Sequence, residues 1–75
     1  MNYNDKDILK RFGKNVKLER IKKDYSQEDF AAILNVTRVY ISKIECGEQN
    51  MSLKKIAELA NALNTNIENL LKFND

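Results

Sequence analysis

Side chains that can donate hydrogen bonds are concentrated between residues 37 and 43, in the segment TRVYISK. Arg38 and Lys43 carry donors suited to guanine O6 and N7 or to phosphate oxygens, and an exposed Val39 can contact a thymine methyl group. Three further residues have hydroxyls that can reach phosphates or base edges: Thr37, Tyr40 and Ser42. Any one of these residues alone is better explained as part of a solvated helix face. Their grouping on one helix favours contact with DNA.

The elements that must position this segment are two short helices joined by a tight turn, at about residues 26–46. Ser26 is a suitable N-cap for the first helix, and Asp29 stands where the acid of a capping box belongs. Asn35 suits the left-handed residue that ends this helix, and Gly47 suits the same position after the second helix. Two helices in this arrangement form a helix-turn-helix, which places its second helix in the DNA major groove.

Three more helices are predicted around this pair, which gives a compact all-α fold of five helices. The first spans about residues 5–23, the fourth begins after Ser52, and the fifth is short, with Asn66 as its cap. In the first helix, Leu18 and Ile21 lie away from the main apolar stripe, and we expect the C-terminal helix to cover them. No alternation of apolar and polar residues predicts a strand.

The composition fits one small helical domain spanning residues 1–75. Hydrophobic residues make up 43% of the chain, which is enough for a core and too many for a disordered tail. No apolar run approaches the roughly 20 residues of a membrane-spanning helix, and the first residues lack the apolar segment of a signal peptide. The single cysteine cannot form an internal disulfide. We therefore expect a cytoplasmic protein with no membrane partner.

Charge is distributed unevenly along the chain, although the net charge is only +2. Residues 1–25 hold eight Lys or Arg and four Asp or Glu, whereas residues 26–75 hold five and seven. The basic excess lies on the first helix, where it can flank a phosphate backbone. A solvated basic face is the simpler interpretation of this helix considered by itself.

The chain offers little for catalysis, and we predict that it is not an enzyme. There is no histidine, which removes the commonest general base and metal ligand. Cys46 has no activating base and lies at the C-terminal end of a helix, whose dipole disfavours a thiolate. No spacing of ligands predicts a metal site, and no glycine-rich loop predicts a phosphate-bearing cofactor.

The chain from about Phe12 to Leu71 resembles the lambda-repressor-like, Cro/repressor-type helix-turn-helix (XRE) family. The segments that carry the resemblance are FGKNVKLER, SQEDFA, VTRVYISKIE, GEQNMSLKKIAELANALN and NIENLL. The resemblance implies a lambda-repressor-like fold of five helices and a protein that binds double-stranded DNA as a transcription regulator.

The resemblance also implies roles for individual residues. Gln27 would bind a phosphate, and Tyr40 would contact the DNA backbone. As our own hypothesis, the loop 48–52, which contains Asn50, also contacts phosphates. The residues expected to face bases are Thr37, Arg38, Val39 and Lys43, with Ser42 beside them. Arg20 and Glu45 would form an ion pair between the first helix and the recognition helix.

The run TRVYISKIE and the short length are most similar to controller proteins of restriction–modification systems, with phage-type repressors nearly as similar. Two positions depart from the family pattern: Cys46 replaces a common Arg or Asn, and Met51 replaces a common Pro. In this family the C-terminal helix often forms a two-fold dimer interface. The resulting dimer would read two half-sites about 34 Å apart. The interface residues would be Ile67, Leu70, Leu71 and Phe73, unless they only close the monomer core.

The sequence is compatible with more than one kind of protein partner. Glu28 and Asp29 resemble an acidic patch that some family members offer to RNA polymerase, so both repression and activation are possible. The alternative from another class is a protein-interaction module such as an antitoxin. An antitoxin usually needs an added toxin-binding segment, and almost no sequence extends beyond the five predicted helices.

Overall fold

The computed structural model describes residues 3–73, and these residues form five α-helices and no strand. The helices are α1 (Asp5–Lys22), α2 (Gln27–Leu34), α3 (Arg38–Glu45), α4 (Leu53–Ala62) and α5 (Ile67–Leu71). The predicted all-α fold is therefore confirmed. No helix in this part of the chain is long and apolar enough to cross a membrane.

Side-chain caps determine where most of the helices begin. Asn4, Ser26, Thr37 and Ser52 each accept a hydrogen bond from the backbone N–H three residues further along the chain. At Ser26 the capping box is complete, because its own N–H donates to the Asp29 carboxylate over 2.9 Å. Asn66 occupies the N-cap of α5 but makes no side-chain cap hydrogen bond.

Left-handed residues end both helices of the central pair, as the sequence predicts. Asn35 has φ 58° after α2, and Gly47 has φ 76° after the last turn of α3. The tight connection between α2 and α3 is closed by the Val36 N–H, which donates to the Ala31 carbonyl over 2.9 Å.

One apolar core lies between the helices. Its largest fully buried side chains come from all five helices or their immediate ends: Val16, Phe30, Ile41, Ile44, Leu63 and Leu70. Because every helix contributes to one cluster, the orientation of α3 depends on packing against the rest of the domain.

The expectation that the C-terminal helix covers the second side of α1 is wrong. Leu18 and Ile21 are 46% and 50% exposed. The physical reason is the length of α5, which has only five residues. Its C-terminal end is instead bound to α1 by Asn15, whose Nδ2 donates to the carbonyls of Leu70 and Lys72 over 2.9 and 3.0 Å.

Leu70 was predicted to lie in a dimer interface, but it is 0% exposed within a single chain. It therefore belongs to the monomer core and is unavailable to a second copy. Leu71 remains 37% exposed, while Ile67 and Phe73 are half-buried against the core. The five-residue helix directs one leucine of the pair inward and its neighbour outward.

Candidate nucleic-acid interface

The outer face of α3 begins at its N-terminal turn. Thr37, Arg38, Val39 and Lys43 are all exposed, and Val39 is 54% exposed even though it is apolar. Ile41 and Ile44 on the opposite side of the helix are buried in the core. α3 is therefore anchored by one face and presents two cations, a hydroxyl and an isolated apolar group on the other.

Tyr40 lies at the edge of this face and is half-buried. Its hydroxyl donates to the Met51 sulfur over 3.7 Å, which links α3 to the loop that precedes α4. Its side chain packs against the core and borders the same depression as Leu34 and Val36. The role expected for Tyr40 was a contact with the DNA backbone, but in the free protein its hydroxyl is used within the domain. Ser42 is also half-buried, so it is less available to a base than Arg38 or Lys43.

Gln27, the first residue of α2, makes two hydrogen bonds to other elements. Its Nε2 donates to Glu45 Oε1 over 3.0 Å, and its Oε1 accepts a bond from an Arg38 terminal nitrogen over 3.3 Å. Sequence reasoning missed these contacts. The resemblance treated Gln27 only as a phosphate ligand, and no local pattern relates it to Glu45, which lies 18 residues away in the chain.

A buried ion pair lies beneath this contact. Arg20 on α1 donates from Nε and from a terminal nitrogen to the two Glu45 oxygens over 2.7 and 3.1 Å. Its other terminal nitrogen donates to the Tyr25 carbonyl over 2.7 Å. The Arg20 and Glu45 side chains are only 10% and 3% exposed. This two-point bond holds the end of α3 against α1.

Two further positions singled out in the sequence lie outside helices α2 and α3 or at their ends. Asn50 is exposed in the loop 48–52, beside Ile8 and Leu9 of α1. Cys46 is an exposed free thiol at the end of α3. Among residues 3–73, no group of acidic residues, histidines and cysteines is arranged to hold a metal ion.

Two carboxylates have shifted pKa values, and both shifts have local causes. The Ser26 backbone N–H, followed by its hydroxyl, lowers the pKa of Asp29 by hydrogen bonding to the charged form. A hydrogen bond from the Lys22 ammonium is the main reason that the pKa of Glu19 is lowered. Asp29 lies on α2 and Glu19 on α1, so neither group belongs to the outer face of α3.

Comparison with known proteins places this geometry among DNA-binding regulators. A family model described as helix-turn-helix matches residues 16–70. The chain is 40% identical over 65 residues to control protein C.MunI of a Mycoplasma species, covering 85% of this chain and 88% of that protein. It is 38% identical over 65 residues to control protein C.SmaI of Serratia marcescens, covering 87% and 77%.

The fold is likewise similar to a solved controller protein. The crystal structure of the restriction–modification controller protein C.AhdI from Aeromonas hydrophila superposes with a TM-score of 0.77 at 35% identity, covering 83% of this chain and 94% of that one. The sequence and structural similarities therefore agree on the same class of protein.

Proposed function

Because this chain belongs to the helix-turn-helix family of transcription regulators, we propose that it is a sequence-specific, autoregulatory controller of a restriction–modification system. The observation that carries the proposal is the outer face of α3, where Arg38, Val39 and Lys43 are exposed above a buried and ion-paired opposite face. A helix held in this way can enter the major groove without rearrangement of the core.

The proposed contacts divide into positioning and reading. Gln27 contacts Arg38 on the α3 face, and Asn50 is exposed in the loop 48–52. Both would bind phosphates, which fix the register on the duplex. Arg38 and Lys43 would donate to base edges, and Val39 would contact a thymine methyl group. Thr37 and Ser42 would add hydroxyl contacts. Tyr40 would support the surface through its bond to Met51.

Replacement of Arg38 tests this division of roles. We expect Arg38→Ala to lower affinity for the duplex upstream of the protein's own gene by about 1–3 kcal/mol while changing affinity for a scrambled duplex much less. Equilibrium binding across a salt series would measure both, since wild type should weaken steeply as salt rises. Arg38→Lys is the matched control, because it keeps the charge but loses the planar fork that grips guanine.

Equal binding of wild type to both duplexes would contradict autoregulation through this upstream site. Equal loss on both duplexes in Arg38→Ala would assign Arg38 to phosphate contact and not to base reading. Arg38→Lys should retain binding to the scrambled duplex and lose most of the preference for the upstream duplex.

We propose that the protein acts as a homodimer on two half-sites. The support comes from Leu71, which is exposed at the end of α5 and borders an apolar depression. The other residues around this depression are Ile8, Leu9, Phe12, Asn50, Met51 and Ile56. An interface at this location would join α5 to the loop 48–52, close to the proposed DNA surface.

Substitution of Leu71 tests the dimer separately from the fold. We expect Leu71→Glu to weaken self-association at least tenfold, because an interface that buries the new carboxylate would have to desolvate it. The domain should stay folded, since Leu71 is already partly exposed. Sedimentation equilibrium would measure the association, with circular dichroism to follow folding.

Ile33→Glu provides the matched control, because Ile33 is a 50% exposed apolar residue on a different helix. It should leave self-association unchanged. Wild type that stays monomeric at concentrations where it binds DNA, or Leu71→Glu that dimerises as well as wild type, would contradict the proposed interface.

The mode of regulation follows from where the operator lies. A dimer bound over a promoter would repress by occlusion, and a dimer bound upstream could contact RNA polymerase through exposed Glu28. Asp29 is already used in the capping box of α2, so it is less available to a partner. We place the protein in the cytoplasm, with the DNA that it regulates. A methyltransferase or endonuclease gene beside its own would favour a controller over a phage-type repressor.

A further inference from the structure

The apolar side chains that α5 leaves uncovered on α1 belong to a surface that the proposed DNA contacts and dimer interface do not use. Leu18 and Ile21 lie three residues apart on α1 and are 46% and 50% exposed. Residues at this spacing are neighbours on one face of a helix. A lone exposed apolar residue is ordinary, whereas adjacent ones beside a groove indicate an interaction surface.

Leu18 lines a groove between α1 and the C-terminal end of α5. This α1–α5 groove consists of two adjoining depressions that share Asn15, Leu18 and Lys72. The Asn15 side chain donates to two backbone carbonyls at the end of α5 over 2.9 and 3.0 Å, which fixes the two walls relative to each other. Phe73 borders one depression, and its ring contacts the Tyr3 ring with centroids 5.9 Å apart. The groove is therefore already formed in the free protein.

The charges around Leu18 are mainly positive. Lys14 and Lys22 line the groove four residues before and after Leu18, which places each about 6 Å along the same face of α1. These two lysines and Lys72 are exposed. Among the described residues that line the groove, Glu19 is the one acid, and its carboxylate is 2.7 Å from the Lys22 ammonium in a side chain only 13% exposed. The groove thus presents cations around an apolar centre.

The α1–α5 groove is separate from both surfaces proposed above. Leu18 lies two residues from Arg20, so the two side chains are on nearly opposite sides of α1, and it is Arg20 that bonds to Glu45 at the end of α3. The described residues that line the groove include none from α2, α3 or the loop 48–52, and none from the depression around Leu71. A molecule bound in the groove would therefore not compete directly with DNA for the α3 face.

We infer that the α1–α5 groove is a docking site for an acidic amphipathic helix of a partner protein, which presents an apolar side chain with carboxylates one turn before and after it. The apolar side chain would pack on Leu18 and Phe73, and the carboxylates would meet Lys14 and Lys22. An apolar centre with a charged rim is the usual anatomy of a protein–protein interface, and complementary charge selects the partner. Interfaces with nucleic acid are more polar, so the apolar centre favours a protein.

The first test titrates isotope-labelled protein with a synthetic acidic peptide and follows backbone amide chemical shifts. The peptide is a helix of about four turns in which leucines are flanked by glutamates one turn away. Two control peptides replace every glutamate with lysine or every leucine with serine. We expect saturable shifts in residues 14–22 and at the end of α5, and binding at least about tenfold weaker for either control peptide. Equal binding of the lysine peptide, or shifts centred on α3, would overturn the inference.

Substitutions on the protein test the same contact from the other side. Leu18→Ser should weaken binding of the acidic peptide by about fivefold or more, and the domain should stay folded because Leu18 is already partly exposed. Lys14→Gln should weaken it by about threefold and reduce its salt dependence. The matched controls are Leu53→Ser and Lys54→Gln, at exposed positions of α4 outside the groove, which should leave binding unchanged. Equal losses in Leu18→Ser and Leu53→Ser would contradict docking in the groove.

Other outcomes would assign the surface to a different role and overturn the inference. Absence of saturable binding of the acidic peptide at millimolar concentration would exclude an acidic helix as the partner. Weaker self-association of Leu18→Ser in sedimentation equilibrium would assign the groove to a contact between copies of this chain. Binding to phosphatidylglycerol vesicles that Leu18→Ser abolishes, without binding of the peptide, would assign it to a lipid surface.

Discussion

Glu45→Ala is expected to destabilise the domain by about 3–5 kcal/mol, because it leaves the buried Arg20 guanidinium without its partner. Arg20 is 8% exposed, so water cannot replace the two lost bonds without opening the contact between α1 and α3. The loss is large against the roughly 5–15 kcal/mol that stabilises a typical domain. Urea unfolding followed by circular dichroism would measure it.

The matched control is a pair at the surface. Lys55 and Glu58 are 3.3 Å apart on α4, with side chains 56% and 46% exposed. Because solvent screens such a pair, Glu58→Ala should change the free energy of unfolding by less than about 1 kcal/mol. If Glu45→Ala and Glu58→Ala lowered the free energy of unfolding by similar amounts, burial of the Arg20–Glu45 pair would not be the source of the expected loss.

Much of the fold follows from local sequence signals because caps and breakers act over three or four residues. Ser26 is predicted as an N-cap from residue type and position, Ser52 immediately precedes the predicted start of α4, and each accepts the cap hydrogen bond. Asn35 and Gly47 adopt the left-handed conformation that their types favour. Such signals need no knowledge of the rest of the chain.

The errors arise where the answer depends on distant elements. Whether Leu18 and Ile21 are covered depends on the length and path of α5, which their own spacing does not encode. The same applies to Leu70 and Leu71, since the sequence shows two adjacent leucines but not which one faces the core. The bonds of Gln27 and of Tyr40 join separate elements and have no periodic signal.

The candidate DNA-binding surface likewise combines features that follow from local sequence with features that depend on distant elements. Exposure of Arg38, Val39 and Lys43 follows from the 3.6-residue period once Ile41 and Ile44 are assigned to the core. The engagement of Gln27 with Glu45 requires the packing of α2 against α3, which only the folded chain defines. A family pattern identifies the residue types on this surface, and the structure identifies which of them are already bonded.

Gly13→Ala is expected to destabilise the domain by about 3 kcal/mol. Helix propensity alone would predict the opposite, a gain in stability. Alanine is favoured over glycine inside a helix by up to about 1 kcal/mol. A Cβ at position 13, however, would overlap the Ile44 carbonyl oxygen and lie 2.7 Å from that of Glu45. Both are backbone atoms at the end of α3, so a change of rotamer cannot relieve the overlap.

Relief of this overlap requires α1 and α3 to separate, which also strains the Arg20–Glu45 pair located two turns further along α1. The substitution should therefore lower stability and loosen the end of the recognition helix together. Thermal unfolding would measure the first effect, and amide hydrogen exchange in α3 would measure the second. Lys17→Ala, at an exposed position of the same helix, should change stability by less than about 0.5 kcal/mol. If Gly13→Ala were instead as stable as wild type, the close approach of α1 to α3 that carries this argument would be refuted.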